Sequence, residues 1–90
     1  MTQITKGQYR VGVSFNPSGD ETVTEIKRLA ALLIDAIDGI PMIPGIGKDD
    51  PIDVDHAEWL NERNRLKALA MTAVEDGAMW AVKAATKPQR

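Results

Sequence analysis

The residues of this sequence that could do chemistry are concentrated between Tyr9 and Arg28. Segment 15–20 (Phe-Asn-Pro-Ser-Gly-Asp) combines an aromatic ring with turn-forming residues, and it leads into a helical pattern that carries Lys27. A helix N-terminus presents unpaired N–H groups and the positive end of a dipole, so it attracts anions. An aromatic ring beside it offers a surface on which a base can stack. The combination predicts binding of a phosphate-bearing ligand rather than catalysis.

Groups for catalysis or metal binding are missing from the pattern. The single histidine, His56, falls in the first turn of a predicted helix, where we expect it to be solvated. Glycines near Lys48 lack the spacing of a phosphate-binding loop, and the aspartates lack calcium-loop spacing: Asp49, Asp50, Asp53 and Asp55. The sequence therefore predicts no enzyme activity, no metal and no cofactor.

Length and composition narrow the class of protein. Ninety residues with 43% hydrophobic and 27% charged side chains are typical of one soluble globular domain, here residues 1–90. There is no cysteine, and no apolar run approaches a membrane span. A net charge of −2 argues against binding a nucleic-acid polymer, which needs a basic face. We expect a cytoplasmic protein without a membrane partner.

The apolar pattern predicts an all-α fold, an antiparallel helical hairpin of residues 20–38 and 56–86 with an N-terminal arm. Residues 1–8 are expected to fray, and the alternation over 9–15 predicts a short extended segment. In this division the domain consists of arm 1–19, helix 20–38, loop 39–54 and helix 55–86. The arm should cross the end of the longer helix, which brings Phe15 near Trp80 and Lys83.

Both helices have recognisable ends. Ser18 with Glu21 has capping-box spacing, and Asp20 is an alternative N-cap for the first helix. Gly39 is the predicted C-cap. A second capping box, Asp55 with Glu58, is predicted to start the other helix.

Each helix also shows an apolar face. The first helix has a stripe that we expect to pack inward, formed by Ile26, Ala30, Leu33, Ile37 and Ile40 and widened by Leu29, Leu32 and Ala36. The second has these predicted inner positions: Leu66, Leu69, Ala70, Ala73, Gly77, Trp80, Ala81 and Ala84. The small residues among them form a ridge that permits close approach of another helix. We expect Trp80 and Met79 to belong to the core. Because a core of small side chains buries little surface, we expect a homo-oligomer.

Three stretches of the sequence resemble phage proteins of the anti-CBASS cyclic-nucleotide sponge family, which shares its helical-hairpin domain with the anti-Thoeris sponges. They are 10–19 (Arg-Val-Gly-Val-Ser-Phe-Asn-Pro-Ser-Gly), 23–30 (Val-Thr-Glu-Ile-Lys-Arg-Leu-Ala) and 78–88 (Ala-Met-Trp-Ala-Val-Lys-Ala-Ala-Thr-Lys-Pro). Loop 41–55 carries no resemblance.

The resemblance implies a homohexamer that acts in the cytoplasm of an infected bacterial host. Such a protein sequesters cyclic oligonucleotide messengers of antiphage defence without cleaving them, so that the CBASS effector is not activated. The implied partners are cyclic dinucleotides such as 3′,3′-cGAMP and, in some members, cyclic trinucleotides.

The resemblance also implies which residues of this chain bind the ligand. Phe15 with Asn16, Pro17 and Ser18 would form the base-stacking segment, and Lys27 would contact phosphate. Because the stacking residue of the family is often tyrosine, Tyr9 is the alternative ring. Arg65 is the best match for an arginine that contacts cyclic trinucleotides. The competing hypothesis is a non-enzymatic helical interaction module that oligomerises or binds a protein partner.

Overall fold

A computed structural model describes residues 3–41 and 54–89, and this part of the chain is built from three helices without a strand. Helix α1 spans Lys6–Val11, α2 spans Glu21–Asp38 and α3 spans Val54–Ala85. The predicted all-helical hairpin is therefore confirmed. Within the described residues, none of the helices has an apolar stretch of the length that a bilayer requires.

Helices α2 and α3 form the antiparallel hairpin. The Lys67 ammonium, near the start of α3, donates hydrogen bonds to the carbonyls of Asp38 and Ile40 at the end of α2, at 3.1 and 3.0 Å. At the opposite end, Val23 and Val82 line the same groove. Because α3 has 32 residues and α2 has 18, α3 extends beyond α2 by roughly 20 Å.

The prediction for the N-terminal arm is wrong in one respect. Residues 6–11 form helix α1, whereas residues 1–8 were expected to fray and 9–15 to be extended. Thr5 and Gln8 form a reciprocal capping box, and Gly12 ends the helix in the left-handed conformation, with φ of 64°. The alternation from Tyr9 to Phe15 lacks a neighbouring strand in the described part of the chain, so local caps determine the conformation.

Helix α1 lies against α2 through an unusually close backbone contact. The Gly7 N–H donates to the Asp35 carboxylate at 2.7 Å. A Cβ at position 7 would collide with the Ala31 carbonyl oxygen and lie 2.9 Å from the Ala31 Cα. At the other side of α1, Arg10 donates to Glu75 of α3 at 2.8 Å. Thus α1 is tied to both helices of the hairpin.

The ends of the longer helices test the predicted caps. Asp20 is the N-cap of α2, because its carboxylate accepts from the Thr22 and Val23 N–H groups at 2.7 and 3.4 Å. Gly39 is the C-cap, as predicted. Asp55 does not cap α3 as predicted, because α3 already begins at Val54 and Asp55 lies in its first turn.

The predicted core faces are displaced around both helices. The buried side of α2 consists of Val23, Lys27, Ala30, Ala31 and Ile34, and that of α3 includes Lys67, Met71 and Ala78. Ala30 is thus buried as predicted, whereas the predicted inward positions Leu33, Leu66, Leu69 and Trp80 are 51–61% exposed. Met79, which was expected in the core, is also exposed. The hairpin packs through its small residues and lysine stems, which allow the helices to approach closely.

Exposed and half-buried residues recur at helical spacing along α2 and α3, and we call this set the apolar face: Leu29, Leu33, Ile37, Ile40, Leu66, Ala70, Ala73, Gly77 and Trp80. Helical spacing puts the members from each helix on one side of it. Ile37 and Ile40 share a groove of about 280 Å³ with Leu66 and Ala70, so the two helices expose this surface together. The described structure measures 60 × 34 × 13 Å, little more than one helix diameter in thickness.

The close approach of α1 to α2 predicts the effect of a methyl group at position 7. Gly7→Ala should cost about 1–3 kcal/mol of folding free energy, because the new Cβ meets backbone that cannot rotate away. Amide hydrogen exchange of residues 9–13 should accelerate as α1 separates from α2. Ala68→Gly, a one-carbon change at an exposed position of α3, is the control and should leave residues 9–13 at their wild-type exchange rates. Equal exchange rates in wild type and Gly7→Ala would contradict the packing.

A second prediction concerns pH. Lys6 donates to Asp38 at 2.8 Å, and this hydrogen bond, with smaller contributions from the charges of Lys6 and Lys67, holds the pKa of Asp38 below its ordinary 3.8. A lowered folded-state pKa stabilises the protein above the unfolded value near 3.9, and the contribution is lost as pH falls through the folded value.

Titration of the Asp38 carboxyl by NMR should therefore give a pKa below 3.8 in wild type and a higher value in Lys6→Ala. The variant should also lose less stability on acidification. Lys87→Ala, at the exposed end of the chain, serves as the control. An Asp38 pKa that is the same in all three proteins would refute the pair.

Candidate functional site

The turn between α1 and α2 has its own hydrogen-bond network. The Asn16 amide donates to the Asp20 carbonyl at 3.0 Å and to the Thr24 hydroxyl at 2.9 Å. The Ser18 hydroxyl donates to the Asn16 side-chain oxygen at 2.8 Å. Gly19 adopts a φ of 65°, which a side chain would disfavour. These bonds fix the turn immediately before the N-terminus of α2.

A groove of about 230 Å³ lies between this turn and the end of α3. We call it the turn groove, and its lining consists of Phe15, Asn16, Pro17, Ser18, Val23, Lys27, Val82 and Thr86. The lining contains five of the six residues that the resemblance assigns to a cyclic dinucleotide, and the fold brings Lys27 to the contiguous segment 15–18. Tyr9, the alternative ring, is outside the lining.

The two candidate rings differ in their surroundings. The Phe15 ring is 71% exposed and borders the turn groove, with the Lys27 ammonium 5.5 Å from its centre. The Tyr9 ring is 76% exposed on α1. Both rings are accessible to a ligand, but Phe15 is the one that adjoins a concave surface containing a cation.

Lys27 is buried rather than solvated, with only 8% of its surface exposed. Its ammonium donates hydrogen bonds to the carbonyl oxygens of Gly12, at 3.0 Å, and of Phe15. The Gly12 carbonyl also accepts from the Phe15 N–H at 3.0 Å. Lys27 therefore holds both ends of the turn that presents the Phe15 ring.

A second groove, of about 300 Å³, borders Lys27 on the side of α1. Its lining includes Glu75 and Asp76 together with Arg10, whose guanidinium is already paired with Glu75. The turn groove contains no carboxylate in its lining. Because like charges repel, an anion is favoured in the turn groove and disfavoured in its neighbour.

Arg65 is distant from these grooves. Since Lys67 contacts the end of α2, Arg65 is displaced from Lys27 by roughly 17–20 Å along the hairpin. Its guanidinium pairs with Glu62 at 2.5 Å on the exposed surface, and this bond lowers the pKa of Glu62. Lys27 and Arg65 of one chain do not share a site, as the antiparallel arrangement predicts.

The remaining candidates have structural surroundings. His56 contacts the Trp59 ring at 5.5 Å between ring centres, rather than being fully solvated as expected. Lys83 lies over the Trp80 ring at 5.4 Å, and the neighbours of Phe15 across the groove are instead Val82 and Thr86. In the described ranges, no group of three or more acidic or histidine side chains could hold a metal ion. Asp49, Asp50 and Asp53, like most of loop 39–54, lie outside the described residues.

Sequence reasoning missed Gly12, Val82 and Thr86. The Gly12 carbonyl could have been suspected, because the Thr5–Gln8 spacing and the following glycine are signals of a capped helix. Val82 and Thr86 carry no comparable local signal, since their position depends on the register of α3 against α2.

The geometry defines a small helical-hairpin protein. A groove that contains the cation of Lys27 lies between its N-terminal turn and the end of α3. The chain belongs to the Acb2/Tad1 hairpin-domain family, whose family model matches residues 6–86. The anti-CBASS and anti-Thoeris sponge family inferred from the sequence is thereby confirmed. Nothing among curated proteins and nothing among solved structures matches the chain.

Proposed function

We propose that this protein is a phage anti-defence sponge that binds cyclic dinucleotides such as 3′,3′-cGAMP in the turn groove and holds them uncleaved. Membership of the Acb2/Tad1 hairpin-domain family supports the general function. The observation that carries the ligand assignment is the meeting of Phe15, Lys27 and the Asn16–Ser18 turn in one concave surface.

The chemistry of the groove suits this ligand. A purine base can stack on the exposed face of Phe15, and the Lys27 ammonium supplies positive charge for a phosphate. A stored messenger is unavailable to its effector, so CBASS activation is blocked without catalysis. Because such messengers are made inside the infected bacterium, the proposed site of action is the host cytoplasm.

We further propose that the protein assembles as a homohexamer through the apolar face. Large exposed side chains, including Leu29, Leu33, Leu66 and Trp80, support this assembly, because contiguous apolar surface is costly in water. A twofold-symmetric dinucleotide would suit a junction where two copies each contribute a groove. For cyclic trinucleotides we propose a second, separate site at which Arg65 contacts the ligand.

The apolar face also favours a second candidate function, a helical interaction module that oligomerises or binds a protein partner. It requires no nucleotide. Native mass spectrometry with a mixture of cyclic nucleotides separates the two hypotheses, because it reports assembly size and bound ligand in one spectrum. An assembly that takes up no cyclic nucleotide would favour the interaction module.

The two exposed rings provide the sharpest test of the binding groove. Phe15→Ala should weaken binding of 3′,3′-cGAMP by about 1–3 kcal/mol, the range for one base stacked on an aromatic ring. Tyr9→Ala removes a ring of similar exposure outside the groove and should bind as wild type. Isothermal titration calorimetry measures both, and thermal unfolding checks that each variant is folded.

If Tyr9→Ala weakens binding of 3′,3′-cGAMP and Phe15→Ala does not, the ring that stacks on the base is Tyr9. Chromatography of the ligand released by denaturation completes the test. Intact cyclic dinucleotide is expected, whereas linear products would reveal a phosphodiesterase and refute storage.

The assembly is tested independently of ligand. Leu33→Glu places a charge on the apolar face and should dissociate the hexamer into smaller species in analytical ultracentrifugation. Ala68→Glu introduces the same charge at an exposed position on the polar side of α3 and should sediment as wild type. A wild-type protein that sediments as a single chain would refute the proposed assembly.

A further inference from the structure

We infer that Lys27 is a positioning residue for the Phe15 ring, in addition to any charge that it offers a ligand. Its ammonium ties the backbone on both sides of residues 13 and 14, and this holds the ring at the mouth of the turn groove. The consequence for ligand affinity rests on the function proposed above. The clamp itself is a property of the ligand-free protein.

The first argument comes from burial. Lys27 is 8% exposed, and an ammonium removed from water requires hydrogen-bond acceptors in place of its hydration shell. The turn supplies these acceptors as the carbonyls of Gly12 and Phe15. Since the ammonium and the carbonyls compensate one another, removal of the charge leaves two main-chain acceptors without this partner.

The second argument comes from the turn itself. The turn over residues 12–15 is closed by a hydrogen bond of 3.0 Å, which the Phe15 N–H donates to the Gly12 carbonyl. The Gly12 carbonyl is also bound by Lys27, so the same oxygen connects the turn to α2. Phe15 as a residue is 71% exposed, so its ring has little packing of its own to fix it. Its position depends on the backbone that Lys27 holds.

The third argument comes from a comparison within the chain. Lys83 lies 5.4 Å from the Trp80 ring, much as Lys27 lies 5.5 Å from the Phe15 ring. Lys83 is exposed, and within the described residues its ammonium donates no hydrogen bond to a turn carbonyl. A cation beside a ring is thus present at both places, whereas the double carbonyl contact distinguishes Lys27.

Hydrogen exchange in the ligand-free protein tests the clamp. In Lys27→Met, which keeps the apolar stem and removes the ammonium, exchange of the Phe15 amide should accelerate about tenfold or more as the turn opens. Exchange in the middle of α2 should change much less. Lys83→Met is the matched control and should leave the Phe15 amide at its wild-type rate. An unchanged Phe15 amide in Lys27→Met would overturn the inference.

A double-mutant cycle on 3′,3′-cGAMP affinity tests the consequence. If Lys27 acts through the ring, the factor by which Lys27→Met weakens binding should be at least about threefold larger in wild type than in the Phe15→Ala background, because coupled residues are not additive. Equal factors in both backgrounds would mean that Lys27 contacts the ligand directly, and they would overturn the positioning role. Wild type that binds no cyclic dinucleotide would refute the proposed function, while the exchange experiment would still test the clamp.

Lys27→Arg keeps the protein testable if the methionine variant does not fold. The guanidinium retains the charge but spreads its donors over a rigid plane, which matches the two carbonyls less well. Positioning predicts faster Phe15 amide exchange and weaker binding despite the retained charge. Wild-type Phe15 amide exchange together with weakened affinity in Lys27→Arg would show that residue 27 acts on the ligand and not through the turn, and it would overturn the inference.

Discussion

The hydrogen bonds of the buried Lys27 ammonium are the interaction on which the turn between α1 and α2 depends. A charge with 8% exposure needs partners, and the carbonyls of Gly12 and Phe15 provide them. Because these carbonyls belong to the turn that follows α1, one side chain of α2 connects the N-terminal segment to the hairpin. The same contact sets the ring of Phe15 at the edge of the turn groove.

The apolar face is the second feature that constrains this protein, because one chain leaves its large side chains exposed to water. Ile34 and Val23 are the largest side chains that are fully buried in the described part of the chain, whereas many leucines and Trp80 remain half exposed. In the described part, one chain therefore leaves much apolar surface in water. In the proposed assembly other copies cover this surface, so that stability and ligand storage depend on the same association.

Much of the architecture could be predicted because its signals are local. Asp20 and Gly39 delimit α2, and the heptad-like spacing of apolar residues identifies both long helices. The family could also be recognised, and residues 6–86 match its model. Five of the six residues assigned to the dinucleotide do line one groove. The sequence could not predict which face of each helix packs inside the single chain. An apolar stripe has the same pattern whether it contacts its own chain or another copy.

The sequence by itself determined the helical hairpin, both caps of α2 and the residue types available for an anion, because periodicity and capping act within a few residues. Only the tertiary structure decided that α1 is a helix against α2, that Lys27 is buried on main-chain carbonyls, and that Val82 and Thr86 face Phe15. These features depend on the register and rotation of helices that are distant in sequence. Close approach at Gly7 places α1 against α2, and the Lys67 ammonium on the carbonyls of Asp38 and Ile40 ties α3 to the end of α2; neither contact is visible in a local pattern.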